Sequence, residues 1–415
     1  MPTSDSAGCY VYIQLPRSME VVTCGRIVQQ GGVGRFVYGK SYLANPRAVE
    51  LEKFELPLRP GIVETTRLGG ICGALRDSSP DAWGRRIIER QLGRVDPTEV
   101  DYLLNSPEDR AGALSFGESP TPPAPIPPYN TLPHLDLLLE AAGRIEQGLP
   151  PFADAVSEPV NPGTSMGGAR PKNVIEDGED LWVAKFPSRG DRWNNAAVEG
   201  GMLRLARECG LRSAYGKVVS VAGRSVLLVR RFDRRRADEG YLRQRMVSAL
   251  TVLRADEHPQ DRSKWSYVLL ADELKRWVAN PDADLRELFS RMVFNALISN
   301  IDDHPRNHAL IAAGTEWNLS PAYDLTPMPQ VSTERDLAME VGSVQQRRAN
   351  RRNLLSECGR FRLSREDATH IIDKMKATVS ARWRETVKAC GGTEADLNAI
   401  ERAFDYEGFE YDSRP

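Results

Sequence analysis

From residue 9 to residue 42 apolar and polar positions alternate, as in CYVYIQL and GRFVYGKSYL, with a glycine break at Gly31, Gly32 and Gly34. A period of two sends successive side chains to opposite faces, so this stretch predicts short antiparallel strands joined by turns. The period changes after Asp77. SSPDAWGRRIIERQLG opens on Ser, Pro and Asp, spaces Trp83, Ile87 and Leu92 helically and closes on Gly93, which predicts a helix. The prolines of ESPTPPAPIPP, 118–128, forbid regular helix and predict an extended connector.

Beyond the connector, LPHLDLLLEAAGRIEQG is helical in period, and a polar, glycine-containing stretch follows at 157–172. LWVAKF (181–186) and SVLLVRRF (225–232) are short apolar runs between turn signals and predict buried strands. AAVEGGMLRLARECG between them predicts a helix stopped at Gly210. From about Asp233 the signal is mainly helical. Its clearest element places Leu285, Leu288, Phe289, Met292, Val293, Ala296 and Leu297 on one face, with Asp284 as expected cap and Glu287 as capping-box acid. The expected domains are a β-rich subdomain at 1–117, the connector at 118–128, a nucleotide-binding part at 129–232 and a mainly helical lobe at 233–415.

Composition narrows the classes. The 415 residues exceed one small core, and 55 basic against 57 acidic residues leave a net charge of −2, which argues against a chain built to condense on nucleic acid or an anionic membrane. Six scattered cysteines form no C-x-x-C pair, as expected of reduced thiols in the cytoplasm. The first residues resemble no export signal, and no run of eighteen apolar residues predicts a membrane span. The arginine-rich runs at 230–236 and 347–352 read by default as solvated surface, with contact to DNA phosphates as the alternative.

Chemistry concentrates in NIDDHPRNHAL, 300–310, where Pro305 makes continuous helix untenable. A metal reading takes Asp302, His304 and His308 as ligands, although the proline between the histidines spoils their helical spacing. A phosphoryl-transfer reading takes Asp302 and Asn307, which reproduce the D-x-x-x-x-N spacing of a kinase catalytic loop: an acid for the hydroxyl proton and an amide oxygen for magnesium. HALIAAGTEWNL then predicts a hairpin turning near Gly314 that returns the chain to Asp324, a second magnesium-binding carboxylate. Upstream, Lys185 in its strand is placed to reach ATP phosphates, Glu199 on the next helix to pair with it, Gly167 and Gly168 to admit phosphate near backbone N–H groups, and Lys172 to add charge. RRFDR, 230–234, falls where an adenine-holding hinge is expected. Each residue also has a plainer reading, as a strand-end lysine, an exposed helix acid or an ordinary turn.

The ordered set SMGGARPK (165–172), VAKFP (183–187), VEGGMLRLARECGL (198–211), RRFDR (230–234), NIDDHPRNH (300–308) and SPAYDLTP (320–327), preceded by D-S-S-P-D-A-W-G-R-R-I-I (77–88) and D-R-A-G-A-L-S-F (109–116), resembles the HipA-like serine/threonine kinases, toxin components of bacterial toxin–antitoxin pairs. The resemblance implies an α+β, bilobal protein-kinase-like fold with a β-rich N-terminal subdomain and a mainly helical C-terminal lobe. It implies Asp302 as catalytic base, Asn307 and Asp324 as Mg2+ ligands, Lys185 on ATP, and Phe232 and Asp233 at the nucleotide hinge. Ser165 matches the family's autophosphorylated serine, an off-switch, while Gly167 stands where many relatives carry a second serine. Implied substrates are proteins, with aminoacyl-tRNA synthetases the known class, and implied partners are helix-turn-helix antitoxins of the HipB type, through which DNA is reached only indirectly. A small-molecule kinase of the aminoglycoside or choline type, and a non-catalytic antitoxin-binding module, remain as alternatives.

Overall fold

The structure is a computed structural model and describes residues 6–94, 96–123, 129–149, 170–343 and 345–411. Ser165, Gly167 and Gly168 lie outside the described residues, as does the core of the proline-rich connector. The chain forms two compact units, one of residues 1–188, 231–247 and 310–317, the other of 189–230, 248–309 and 318–415. Among the described residues no helix is long and apolar enough to cross a membrane.

In the first unit the alternating pattern becomes strands β1 (Ser6–Gln14), β2 (Val21–Gln30), β3 (Val33–Tyr38), β4 (Ile62–Thr65) and β5 (Leu114–Gly117), in the antiparallel order β4-β3-β2-β1-β5. Val11, Ile13, Ile27, Phe36 and Phe116 bury the inner face. Helix α1 (Ala82–Leu92) begins where the sequence predicts: the Asp81 carboxylate accepts the Gly84 N–H at 2.8 Å. It ends on Gly93 in the left-handed region at φ 61°, a backbone conformation that costs glycine nothing. Helix α2 (Leu135–Glu146) follows, then the antiparallel hairpin of β6 (Lys172–Asp177) and β7 (Asp180–Lys185).

After Phe232 the expected helical signal does not begin. Arg234–Ala237, Gly240–Arg243 and Arg245–Ser248 are strands. The arginine-rich stretch is not all solvated either, since Arg231 and Arg234 are buried. Asp233 is the reason. Its carboxylate accepts from Arg231 Nε (3.0 Å) and Nη2 (2.8 Å), from Arg234 Nη1 (2.7 Å) and from the Gly112 backbone N–H (2.9 Å). The two guanidiniums also donate to the carbonyls of Asp109, Arg110 and Gly112. RRFDR and DRAGALSF are thus two halves of one buried clamp.

The second unit contains helix α3 (Asn195–Glu208), the hairpin β8 (Gly216–Val221) and β9 (Arg224–Arg230), then α4 (Tyr267–Trp277), α5 (Pro281–Leu297) and the long α6 (Arg365–Ala389). The paired glycines of α3 exist for contact: a Cβ on Gly201 would lie 2.8 Å from the Val387 Cα of α6, too close for any side chain. Helix α5 starts a turn earlier than predicted. Asn280 is the cap and Pro281 its first residue, while Asp284 and Glu287 are buried acids that hold Arg212 and Arg291. Asp284 also accepts the Leu319 N–H at 3.1 Å. Carboxylates spaced as a capping box are instead held in the interior, Asp284 by Arg212 from far along the chain and Glu287 by Arg291 one turn further on.

Candidate active site

The site loop leaves α5 through a strained turn. Ser299 has φ 52°, in the left-handed region that glycine ordinarily fills, and such a residue persists only where its surroundings over-determine it. Here they do: Ser299 Oγ donates to the Ala403 carbonyl (2.6 Å) and accepts from Arg335 Nε (3.1 Å), while its own carbonyl accepts the Met328 N–H (3.1 Å). Arg335 extends the tie by donating to the Arg402 carbonyl (2.9 Å), and Tyr406 Oη donates to the Ala349 carbonyl (2.6 Å).

Beneath the loop runs a buried polar chain. Asn300 Nδ2 donates to Asn295 Oδ1 (3.0 Å), Asn295 Nδ2 donates to Tyr267 Oη (2.9 Å), and Tyr267 Oη donates to Asp303 Oδ2. His308 Nε2 meets the same Asp303 oxygen at 3.1 Å. Burial pushes the Tyr267 hydroxyl far up, and the adjacent Asp303 charge adds to it, so Tyr267 stays a donor. Asp303 therefore anchors the loop, and its neighbour Asp302 faces outward, exposed.

Pro305–Asn307 makes a single 3-10 turn, closed by the Asn307 N–H on the His304 carbonyl at 2.8 Å. Asn307 Nδ2 donates to the Asp302 carbonyl (3.3 Å). An amide that gives its nitrogen to a carbonyl presents its oxygen on the other side, so Asn307 offers Oδ1 as an acceptor. Asp324 arrives on a segment fixed by Ala322, whose N–H donates to the Arg212 carbonyl (2.7 Å), and by Tyr323 Oη on the Arg306 carbonyl (2.7 Å). Its φ of 59° is tolerable for aspartate. Partial enclosure raises the Asp302 carboxyl above the usual range; His304 opposes this, and the charges of Asp324 and Asp303 add to it. Asp302 and Asp324 are therefore neighbours that repel.

Such a set suits a small hard cation: one carboxylate and one amide oxygen leave the remaining positions to water and phosphate. The three-residue ligand set of Asp302, His304 and His308 is not assembled. Among the described residues no three His, Cys, Asp or Glu side chains gather as a metal would require, and His308 is committed to buried Asp303.

The other expected residues fall out differently. Lys185 ends β7, opposite Lys172 in register. Lys172 is not a loop charge: it lies buried in β6 with its Nζ 2.6 Å from Asp81, the cap of α1. Burial pushes the Asp81 carboxyl up, and Lys172 opposes the shift. Asp233 belongs to the clamp rather than offering its side chain to a hinge, and Phe232 gives its carbonyl to Gln244 Nε2 at 3.0 Å. Glu199 is buried in α3. The residues that sequence reasoning missed are Tyr267, Asn295, Asp303 and Arg335; only the doubled acid at 302–303 signals one of them.

Comparison with known proteins matches this architecture. The HipA N-terminal domain model fits residues 18–117, and the HipA-like C-terminal domain model fits residues 164–383. Y4mE, a candidate kinase of Sinorhizobium fredii (strain NBRC 101917 / NGR234), is 26% identical over 365 residues, covering 79% of this chain and 81% of that protein. HipA of the Shewanella oneidensis MR-1 toxin–antitoxin system, solved with HipB and operator DNA, superposes with a TM-score of 0.69 at 18% identity, over 95% of this chain and 94% of that one. Since both domain models fit in order, the second alone spanning more than half of the chain, this protein belongs to the HipA-like family.

Proposed function

We propose that the protein is a HipA-type kinase that transfers the γ-phosphate of ATP to a serine hydroxyl of a protein. The observation that carries the reading is the Asn307 amide on the Asp302 carbonyl, which turns Oδ1 outward beside an acid kept basic by partial enclosure and by Asp324. Asp302 accepts the proton of the acceptor hydroxyl as the new O–P bond forms and the bond from the γ-phosphorus to the ADP oxygen breaks. A raised carboxyl pKa makes a better general base than an ordinary aspartate. Asn307 and Asp324 would hold Mg2+, which when bound neutralises phosphate charge. Lys185 orients the nucleotide phosphates. Tyr267, Asp303 and His308 keep the loop fixed while Asp302 works.

The finer reading follows the family. Ser165 is the autophosphorylation site and off-switch, the substrate is a protein such as an aminoacyl-tRNA synthetase, and the partner is an antitoxin of the HipB type. HipA of Shewanella was solved with HipB and DNA, which supports such a partner. The test is transfer from γ-labelled ATP, in magnesium, to a protein lysate, to small alcohols and to the chain itself, for the natural protein and Asp302→Gln. Label entering protein serine only with Asp302 intact upholds the reading. Label confined to small alcohols would make it a small-molecule kinase, and no transfer at all would make it a binding module.

A further inference from the structure

The second unit bears a groove of about 830 Å3 whose lining shares no residue with the site above. One wall is β8, and the others are α3 and the end of α6, at Gly200, Arg204 and Cys390. β8 is the last strand of its sheet, with β9 as its strand neighbour. The register sets Gly216, Val218 and Ser220 opposite Val229, Leu227 and Ser225. The Arg230 N–H donates to the Tyr215 carbonyl at 2.8 Å. By the alternation of an antiparallel ladder, Lys217 and Val219 then make the bonds to β9, and the N–H and C=O groups of Gly216, Val218 and Ser220 point away from it. Among the described residues no loop or turn backbone hydrogen bond reaches those outward groups.

Charge is one-sided around this edge. Arg204, Arg207 and Lys217 line the groove against a single acid, Glu208, which is itself held by Arg204 (3.3 Å) and Arg382 (2.9 Å). Tyr215 stands 53% exposed at the rim with the Arg207 guanidinium 5.5 Å from its ring centre. An edge of unused backbone groups beside half-buried valines is a template for strand addition.

The geometry points to β8 as a docking edge on which an extended acidic segment of a partner protein adds as a further strand, its backbone pairing with Gly216, Val218 and Ser220 and its carboxylates meeting Arg204 and Arg207 on the α3 side. The inference is independent of the kinase reading, since no site residue takes part.

The experiment uses the full chain, a short acetylated peptide of alternating valine and glutamate, and its valine–lysine counterpart. The acidic peptide is expected to bind and to slow amide exchange at Gly216, Val218 and Ser220. Val218→Pro removes an outward N–H and no ladder bond, so the melting temperature holds while affinity falls by about tenfold or more. N-methylation of alternate peptide amides, which leaves the protein untouched, has the same effect. Arg204→Glu weakens the acidic peptide and favours the basic one. Absence of binding, binding indifferent to N-methylation, equal binding of the lysine peptide, or pairing of β8 with a second copy in sedimentation would each overturn the proposal.

Discussion

Replacing Asp233 by alanine removes the carboxylate that both arginines of the clamp share and leaves the buried guanidiniums of Arg231 and Arg234 without it. Four hydrogen bonds go, three of them between charged groups. Both arginines keep their carbonyl partners, so the loss stays near the cost of breaking one buried ion pair, about 3–5 kcal/mol. In a unit of this size that is a fall in melting temperature of roughly 10 °C, read by circular dichroism, with the urea midpoint moving in parallel. Burial alone would raise the Asp233 carboxyl, but Arg231 and Arg234 outweigh it and hold it well below the usual range. A depressed carboxyl stabilises the fold above the unfolded value of about 3.9 and loses that contribution as pH falls through the folded value. The gap between natural and variant proteins should therefore close progressively in acid. A shift under about 2 °C together with a raised KM for ATP would refute the clamp and restore Asp233 to the nucleotide.

Asp302→Asn should cut phosphoryl transfer by about 10²–10⁴-fold without lowering the melting temperature, checked by label transfer and calorimetry. The acid limb of the rate profile should lie above an ordinary aspartate's, because a raised carboxyl takes its proton at higher pH. Carboxylate NMR should show Asp302 titrating lower in Asp324→Asn, where one repelling charge is gone. Tyr267→Phe removes one of the two buried side-chain partners of Asp303, leaving His308, and should cost about 1–3 kcal/mol in urea denaturation. Gly201→Ala should destabilise by about 1–3 kcal/mol because backbone lies 2.8 Å from the new Cβ, whereas Gly143→Ala, with nothing within 4 Å, should stabilise by about 0.5–1 kcal/mol in the same assay.

What could be read in the chain was whatever depends on neighbours in sequence. The period of two gave β1 to β3, the capped run from Asp81 to Gly93 gave α1, and the apolar face of Leu285 to Leu297 gave α5. The D-x-x-x-x-N spacing marked Asp302 and Asn307 as candidates. Burial of charge was illegible, because its cause is a partner far away. Asp284 looked like a cap until Arg212 and the Leu319 N–H claimed it. Lys172 looked like a loop charge until Asp81 did. Arg231 and Arg234 looked solvated although carbonyls some 120 residues earlier receive them. Of two adjacent aspartates, no local pattern says which turns inward; Tyr267 and His308 decide it.

The tie from Ser299 and Arg335 to Arg402 and Ala403 makes the aim of Asp302 depend on a segment about a hundred residues further along the chain. The strained turn is completed there by two backbone carbonyls, which bring no reactive group of their own. A chain in which that segment loosens keeps every candidate side chain but loses the geometry that fixes them, so substitutions around 402–403 should lower activity without touching the site.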